Sequence, residues 1–79
     1  EQMRSLKGVD IAFYLRETAR GVKLSLRGKH SDVNRIAAHF GGGGHRRAAG
    51  ATLSGPIESA AEQVLAVIEA ERSATERNA

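Results

Sequence analysis

The chain has no cysteine and no tryptophan, only one proline and one methionine, and three aromatic residues, Phe13, Tyr14 and Phe40. Without cysteine there are no disulfides and no thiolate metal sites, a composition compatible with the cytoplasm. No apolar run approaches the length of a membrane span and nothing at the amino end resembles a signal peptide, so a soluble cytoplasmic protein with no membrane partner is expected. No Gly-Lys-Ser or Gly-Lys-Thr follows the glycines and no long apolar strand precedes them, which excludes a nucleotide hydrolase of the P-loop type. The three histidines, His30, His39 and His45, are spaced nine and six residues apart with no accompanying carboxylate. That spacing fits no common metal-ligand pattern, and His30 and His39 are read as surface residues.

What is present is unevenly distributed. Seventy-nine residues bound the answer to one domain, in which only about 60% of the unfolded chain's surface can be buried. Residues 1–47 hold ten Lys and Arg against four acids, whereas residues 48–79 hold two against five, so the net charge of +3 conceals a basic front and an acidic back. Such a front favours a polyanionic ligand, a nucleotide or a nucleic-acid backbone, over the solvated basic face that charge counting alone also allows.

The basic segment ends in Gly41-Gly42-Gly43-Gly44-His45-Arg46-Arg47-Ala48-Ala49-Gly50. Four consecutive glycines lose much backbone entropy on folding, and a flexible connector is the ordinary explanation for such a run. Here an apolar helical pattern ends at Phe40 and a strand-like Ala-Thr-Leu begins at Ala51. Ordered flanks favour a loop whose N–H groups can turn toward one phosphate or carboxylate, with His45, Arg46 and Arg47 adding side-chain donors.

Along the chain, Val9, Ile11, Phe13 and Leu15 alternate with polar or small residues, as do Val22, Leu24 and Leu26, and each set reads as a half-buried strand. A turn over residues 17–21 predicts an antiparallel hairpin with Leu15 opposite Val22, Phe13 opposite Leu24 and Ile11 opposite Leu26. Arg27 then lies across from Asp10, so an ion pair competes with a ligand role for it. Asp32 is placed to N-cap a helix carrying Val33, Ile36, Ala37 and Phe40 on one stripe, which Gly41 ends in a left-handed conformation. Residues 51–54 form a third strand, and Gly55-Pro56 opens a last helix with Ile57, Ala60, Ala61, Val64, Leu65 and Ile68 inward and Glu58, Glu62, Gln63 and Glu69 toward water. The expected fold is α+β, a small mixed β-sheet with two packed helices in the order β-β-α-glycine loop-β-α. Phe13 and Phe40 belong to the core. Tyr14 shares the polar parity of Arg16, with packing or base stacking as its two roles.

The run Gly42-Gly43-Gly44-His45-Arg46-Arg47-Ala48-Ala49-Gly50, with Val22 to Arg27 and Asp32 to Ala37 before it, resembles the signature of the DHH-associated C-terminal domain. The likeness extends from about Val9 to Ile68 and is strongest to phosphoesterases that degrade very short oligoribonucleotides and dephosphorylate 3′-phosphoadenosine 5′-phosphate. In that family a separate N-terminal domain carries the aspartates and histidines that bind two manganese ions. The resemblance therefore implies no catalytic residue and no cofactor on this chain, manganese in the partner domain, and no hydrolysis by the chain alone. It implies substrate phosphate contacts at Arg27, Gly42, Gly43, Gly44 and His45, with Arg46 and Arg47 at positions the motif leaves variable. The implied partners are a nucleotide or short single-stranded RNA or DNA, the N-terminal catalytic domain of the same polypeptide and, in a homodimer, a second copy. Related domains in alanyl-tRNA synthetases supply the alternative, a structural or dimerising module without ligand. Residues 1–8 stand open between a linker from such a domain and part of the fold, and residues 73–79 are the candidates to fray.

Overall fold

The computed structural model describes residues 2–5 and 10–77. The chain runs β1 (Gln2–Ser5), β2 (Ile11–Thr18), β3 (Gly21–Gly28), α1 (Val33–Ala38), β4 (Gly43–His45), β5 (Ala48–Leu53) and α2 (Ile57–Arg77). The strands form one sheet in the order β1-β2-β3-β5-β4, and every pairing among the described residues is antiparallel. The described sheet is therefore antiparallel and not mixed: β2 and β3, and β4 and β5, are joined as hairpins, the chain returns from β3 through α1, and no described strands pair in parallel.

Alternation builds the interior. Ile11, Phe13 and Leu15 on β2 and Val22, Leu24 and Leu26 on β3 are buried, while the residues between them are not. The helices cover that face, α1 with Val33, Ile36 and Ala37 and α2 with Ile57, Ala60, Ala61, Val64 and Ile68. Leu65 and Phe40 pack half-buried at its margin, and Glu58, Glu62, Gln63 and Glu69 face water as their helical phase predicts. α2 continues to Arg77 through most of the stretch that was a candidate to fray. Among the described residues no helix is long and apolar enough to cross a membrane.

The hairpin register differs from the expected one by two residues. Leu15 pairs with Leu24, Phe13 with Leu26 and Ile11 with Gly28, so Val22 stands opposite Glu17. The cause is a tighter turn. Only Ala19 and Arg20 lie outside the strands, where the Thr18 hydroxyl accepts from the Arg20 N–H at 3.2 Å and donates to the Gly21 carbonyl at 2.9 Å. A shift of two leaves every side chain on its original face, so the core survives while the partners change. Arg27 thus faces Ala12 instead of Asp10. The Asp10 carboxylate instead accepts from the Ser31 hydroxyl at 2.5 Å, the Ser31 N–H at 2.8 Å and the His30 N–H, and so fastens the β3–α1 connection. Those bonds, the Ser31 hydroxyl first and then the two N–H groups, hold the Asp10 carboxyl well below the ordinary carboxylate range. Val9 lies outside the described residues.

Asp32 caps α1 as expected, its side chain accepting from the Asn34 N–H at 3.1 Å. Gly41, at φ 77°, ends the helix: its N–H donates to the Ala38 carbonyl and that of Gly42 to the Ala37 carbonyl, the paired bonds of a Schellman motif. Arg35 of α1 and His39 just after it both reach Glu71 of α2, at 2.9 and 3.6 Å. Gln2–Ser5, within the stretch left open as linker or fold, pairs residue for residue with Leu15–Ala12.

Candidate functional site

The glycine run is not an open loop. Gly43–His45 is a strand, and with Arg46 and Arg47 as its turn it forms a hairpin with β5, which accordingly begins at Ala48 and not at Ala51. Glycine is required here by close approach. A Cβ on Gly42 would stand 2.1 Å from the Gly50 carbonyl oxygen, and one on Gly44, at φ 151°, would stand 2.7 Å from the Ala48 oxygen and 2.8 Å from the Ala49 Cα. A Cβ on Gly43 would meet only the Asn34 Oδ1, at 3.5 Å. Two of these glycines therefore let β4 lie against β5, while Gly43 has room beside it.

The register brings the candidate residues into rows. Opposed residues of antiparallel strands share a face, so Ala12, Arg27, Ala48 and His45 form one row and Tyr14, Ser25, Gly50 and Gly43 the next, with Arg16, Lys23 and Thr52 beyond. On β2 and β3 these are the residues that alternate with the buried ones, hence the face away from the helices. A shallow concavity of about 480 Å³ lies there, with Lys23, Arg27, Gly43 and Gly44 in its wall and Ser25, Ala48 and Gly50 in its floor. Small residues make the floor because the strands crowd it: a Cβ on Gly50 would stand 2.8 Å from the Leu24 oxygen. No acid lines it.

The structure therefore brings Arg27, Gly43 and Gly44 together. Gly42 precedes them at the start of the hairpin, and His45 closes the Arg27 row without lining the concavity. Arg46 and Arg47 stand elsewhere. As turn residues they line a second, smaller cavity of about 260 Å³ together with Lys29, His30 and Ser31, and Arg46 also borders a neighbouring one of about 540 Å³ that holds Asp32, Arg35 and Glu71. Sequence reasoning missed Lys23, Ser25 and Gly50. The signal for Lys23 and Ser25 was present in the period of two along β3, which gives both the parity of Arg27.

Among the described residues no three His, Cys, Asp or Glu side chains are grouped to hold a metal ion. What the arrangement offers is anion chemistry: guanidinium and ammonium groups around a surface open to an extended ligand.

These features define a two-layer α+β domain whose two helices cover one face of an antiparallel sheet and whose other face is basic over a glycine- and alanine-rich floor. The family follows from comparison: residues 1–73 match the DHHA1 domain, and the chain belongs to that family. It is 39% identical over 71 residues to the bifunctional oligoribonuclease and PAP phosphatase NrnA of Thermus thermophilus, covering 87% of this chain and 22% of that protein. It also superposes with a TM-score of 0.77 and 34% identity on the crystal structure of an exopolyphosphatase-related protein from Bacteroides fragilis, over 91% of this chain and 22% of that one. The chain thus spans about a fifth of the length of each of these relatives.

Proposed function

We propose that this chain is the substrate-binding domain of a DHH-family phosphoesterase acting on short oligonucleotides or phosphorylated adenosine nucleotides. In this reading the open face of the sheet holds substrate phosphate against Arg27, Gly43, Gly44 and His45. Hydrolysis and its manganese ions belong to a separate N-terminal domain. The observation that carries the reading is the convergence of Arg27 with Gly43 and Gly44 around one acid-free concavity, although they lie 16 and 17 residues apart in sequence. β4 is moreover the terminal strand of the described sheet, so one edge of its backbone faces outward, away from β5 and from β3, which carries Arg27.

The chemistry asked of the domain is positioning. A guanidinium gives two parallel bonds to phosphate oxygens, the edge N–H groups add donors, and the small floor lets the ligand approach the backbone. The test is calorimetric titration of the chain with an unphosphorylated adenylyl dinucleotide, beside Arg27→Ala and His45→Ala. Both positions are exposed and both variants are expected to keep the circular dichroism of the parent. Each should weaken binding about tenfold, the loss of one charged or directed contact. Unchanged affinity in two folded variants would leave a structural or dimerising module as the better reading.

A further inference from the structure

The second cavity is lined from two separate parts of the chain, with Lys29, Arg46 and Arg47 as its cations. Lys29, His30 and Ser31 come from the β3–α1 connection, Arg46 and Arg47 from the β4–β5 turn, and no acid lines it. Long basic side chains on a surface are usually solvated, but here the backbone carrying them is tied from several sides. The Gly28 N–H donates to the Arg47 carbonyl at 3.0 Å and the Val33 N–H to the Arg46 carbonyl at 2.8 Å, so the turn is fastened to both ends of the connection. Asp10 fixes the connection from β2 through the N–H groups of His30 and Ser31 and the Ser31 hydroxyl. Both carboxylates at this connection, Asp10 and Asp32, thus accept from donors of their own chain, Asp32 from the Asn34 N–H.

We propose that this cavity is a second anion site, one for a terminal phosphate monoester, distinct from the concavity over the sheet. A phosphodiester carries one charge and passes along a surface. A monoester carries about −1.5 to −2 near neutral pH and ends in three acceptor oxygens. Lys29, Arg46 and Arg47 around about 260 Å³ match the second ligand in charge and in donor number. The site's place in the fold gives it a further property. Arg27, in the wall of the first concavity, is separated from Lys29 only by Gly28, a path of about 7 Å along extended chain. One ligand can therefore occupy both, with an internal or second phosphate on the sheet and its phosphorylated end at the turn. The domain would then select ligands by the presence of a phosphorylated terminus, a discrimination the sheet concavity alone does not supply. This inference rests on the proposed phosphate role of the open face.

The experiment compares two probes, an adenylyl dinucleotide with a 5′-phosphate and the same dinucleotide without it, titrated into the 79-residue chain. The variants are Arg46→Ala with Arg47→Ala, Lys29→Ala, and Arg20→Ala as a control that removes one charge at the other end of the β2–β3 hairpin. Since the turn contributes its carbonyls and not its side chains to the backbone bonds, the double variant should keep the parent's circular dichroism and melting temperature. The parent should bind the phosphorylated probe about tenfold more tightly. In the double variant that preference should fall below about twofold while affinity for the unphosphorylated probe holds, with Lys29→Ala intermediate and Arg20→Ala without effect. The proposal is overturned if the double variant keeps the preference, if it loses both probes equally, or if Arg20→Ala matches it. Arg27→Ala separates the two readings: no effect on the unphosphorylated probe sinks the role of the sheet face, while the 5′-phosphate preference still reports on the turn cavity.

Discussion

Gly43 and Gly44 are adjacent in sequence and opposite in what they tolerate. Alanine at Gly43 has space, with 3.5 Å to its nearest neighbour, whereas alanine at Gly44 meets the Ala48 oxygen at 2.7 Å in a conformation that side chains rarely adopt. Gly43→Ala should therefore leave stability within about 0.5 kcal/mol of the parent, and Gly44→Ala should cost about 1 to 3 kcal/mol, read as the shift of a urea midpoint. Equal effects would mean that β4 is not held against β5. Asp10 carries a second prediction. Its folded-state pKa lies below the ordinary 3.8, so its contribution to stability is present above pH 4 and is lost as pH falls from there toward the depressed folded value. Asp10→Ala should cost about 1 to 2 kcal/mol at neutral pH, through three hydrogen bonds to a charged acceptor. The gap between parent and variant should narrow in melts run at pH 3, and a gap unchanged with pH would place the contribution outside the carboxylate's charge.

At the scale of elements, legibility in the sequence depended on whether an element carries a side-chain pattern. β2, β3 and the inward stripe of α2 could be read because Phe13, Leu15, Leu24, Leu26, Val64 and Ile68 repeat at the period their element requires. The register of β2 on β3 could not, because a shift of two residues returns every side chain to the same face and only the turn chemistry of Thr18 to Gly21 separates the alternatives. β4 was invisible as a strand because glycine has no side chain to alternate. The candidate site divided for a related reason: Arg27 and the glycines meet through strand pairing, but where a turn sends Arg46 and Arg47 depends on the bonds that fold it back onto Gly28 and Val33. The energetic centre is better defined. Leu24 is fully buried on the central strand between β2 and β5, so Leu24→Ala should cost about 2 to 5 kcal/mol, measured by denaturant unfolding. A cost under 1 kcal/mol would mean that the sheet and helices are not packed through that position.

For the molecule as a whole, the basic front and acidic back become two sides in space. Arg16, Lys23 and Arg27 share rows on the uncovered sheet face, while Glu58, Glu62 and Glu69 project from α2, whose inward stripe packs on the other face. A net charge of +3 understates the field that a ligand meets at the sheet, because the opposing acids lie across the core. With the hydrolytic groups assigned to another domain, the chain mixed with manganese and an adenylyl dinucleotide should leave the dinucleotide intact, and chromatography showing turnover would move catalysis onto this chain. Its own contribution should appear as salt-dependent binding. If two or three cations of the open face engage phosphates, the logarithm of affinity should fall with the logarithm of salt at a slope of roughly −1.5 to −2, as for single strands. Affinity for a short oligonucleotide would then drop about tenfold between 50 and 200 mM salt. Arg27→Ala should reduce the magnitude of that slope by about 0.7, the share of one phosphate contact, whereas Glu62→Gln, on the far side of the core, should leave it unchanged. A flat salt response would remove phosphate recognition from the open face. A steep response that Arg27→Ala leaves intact would place it at cations other than those in the wall of the concavity.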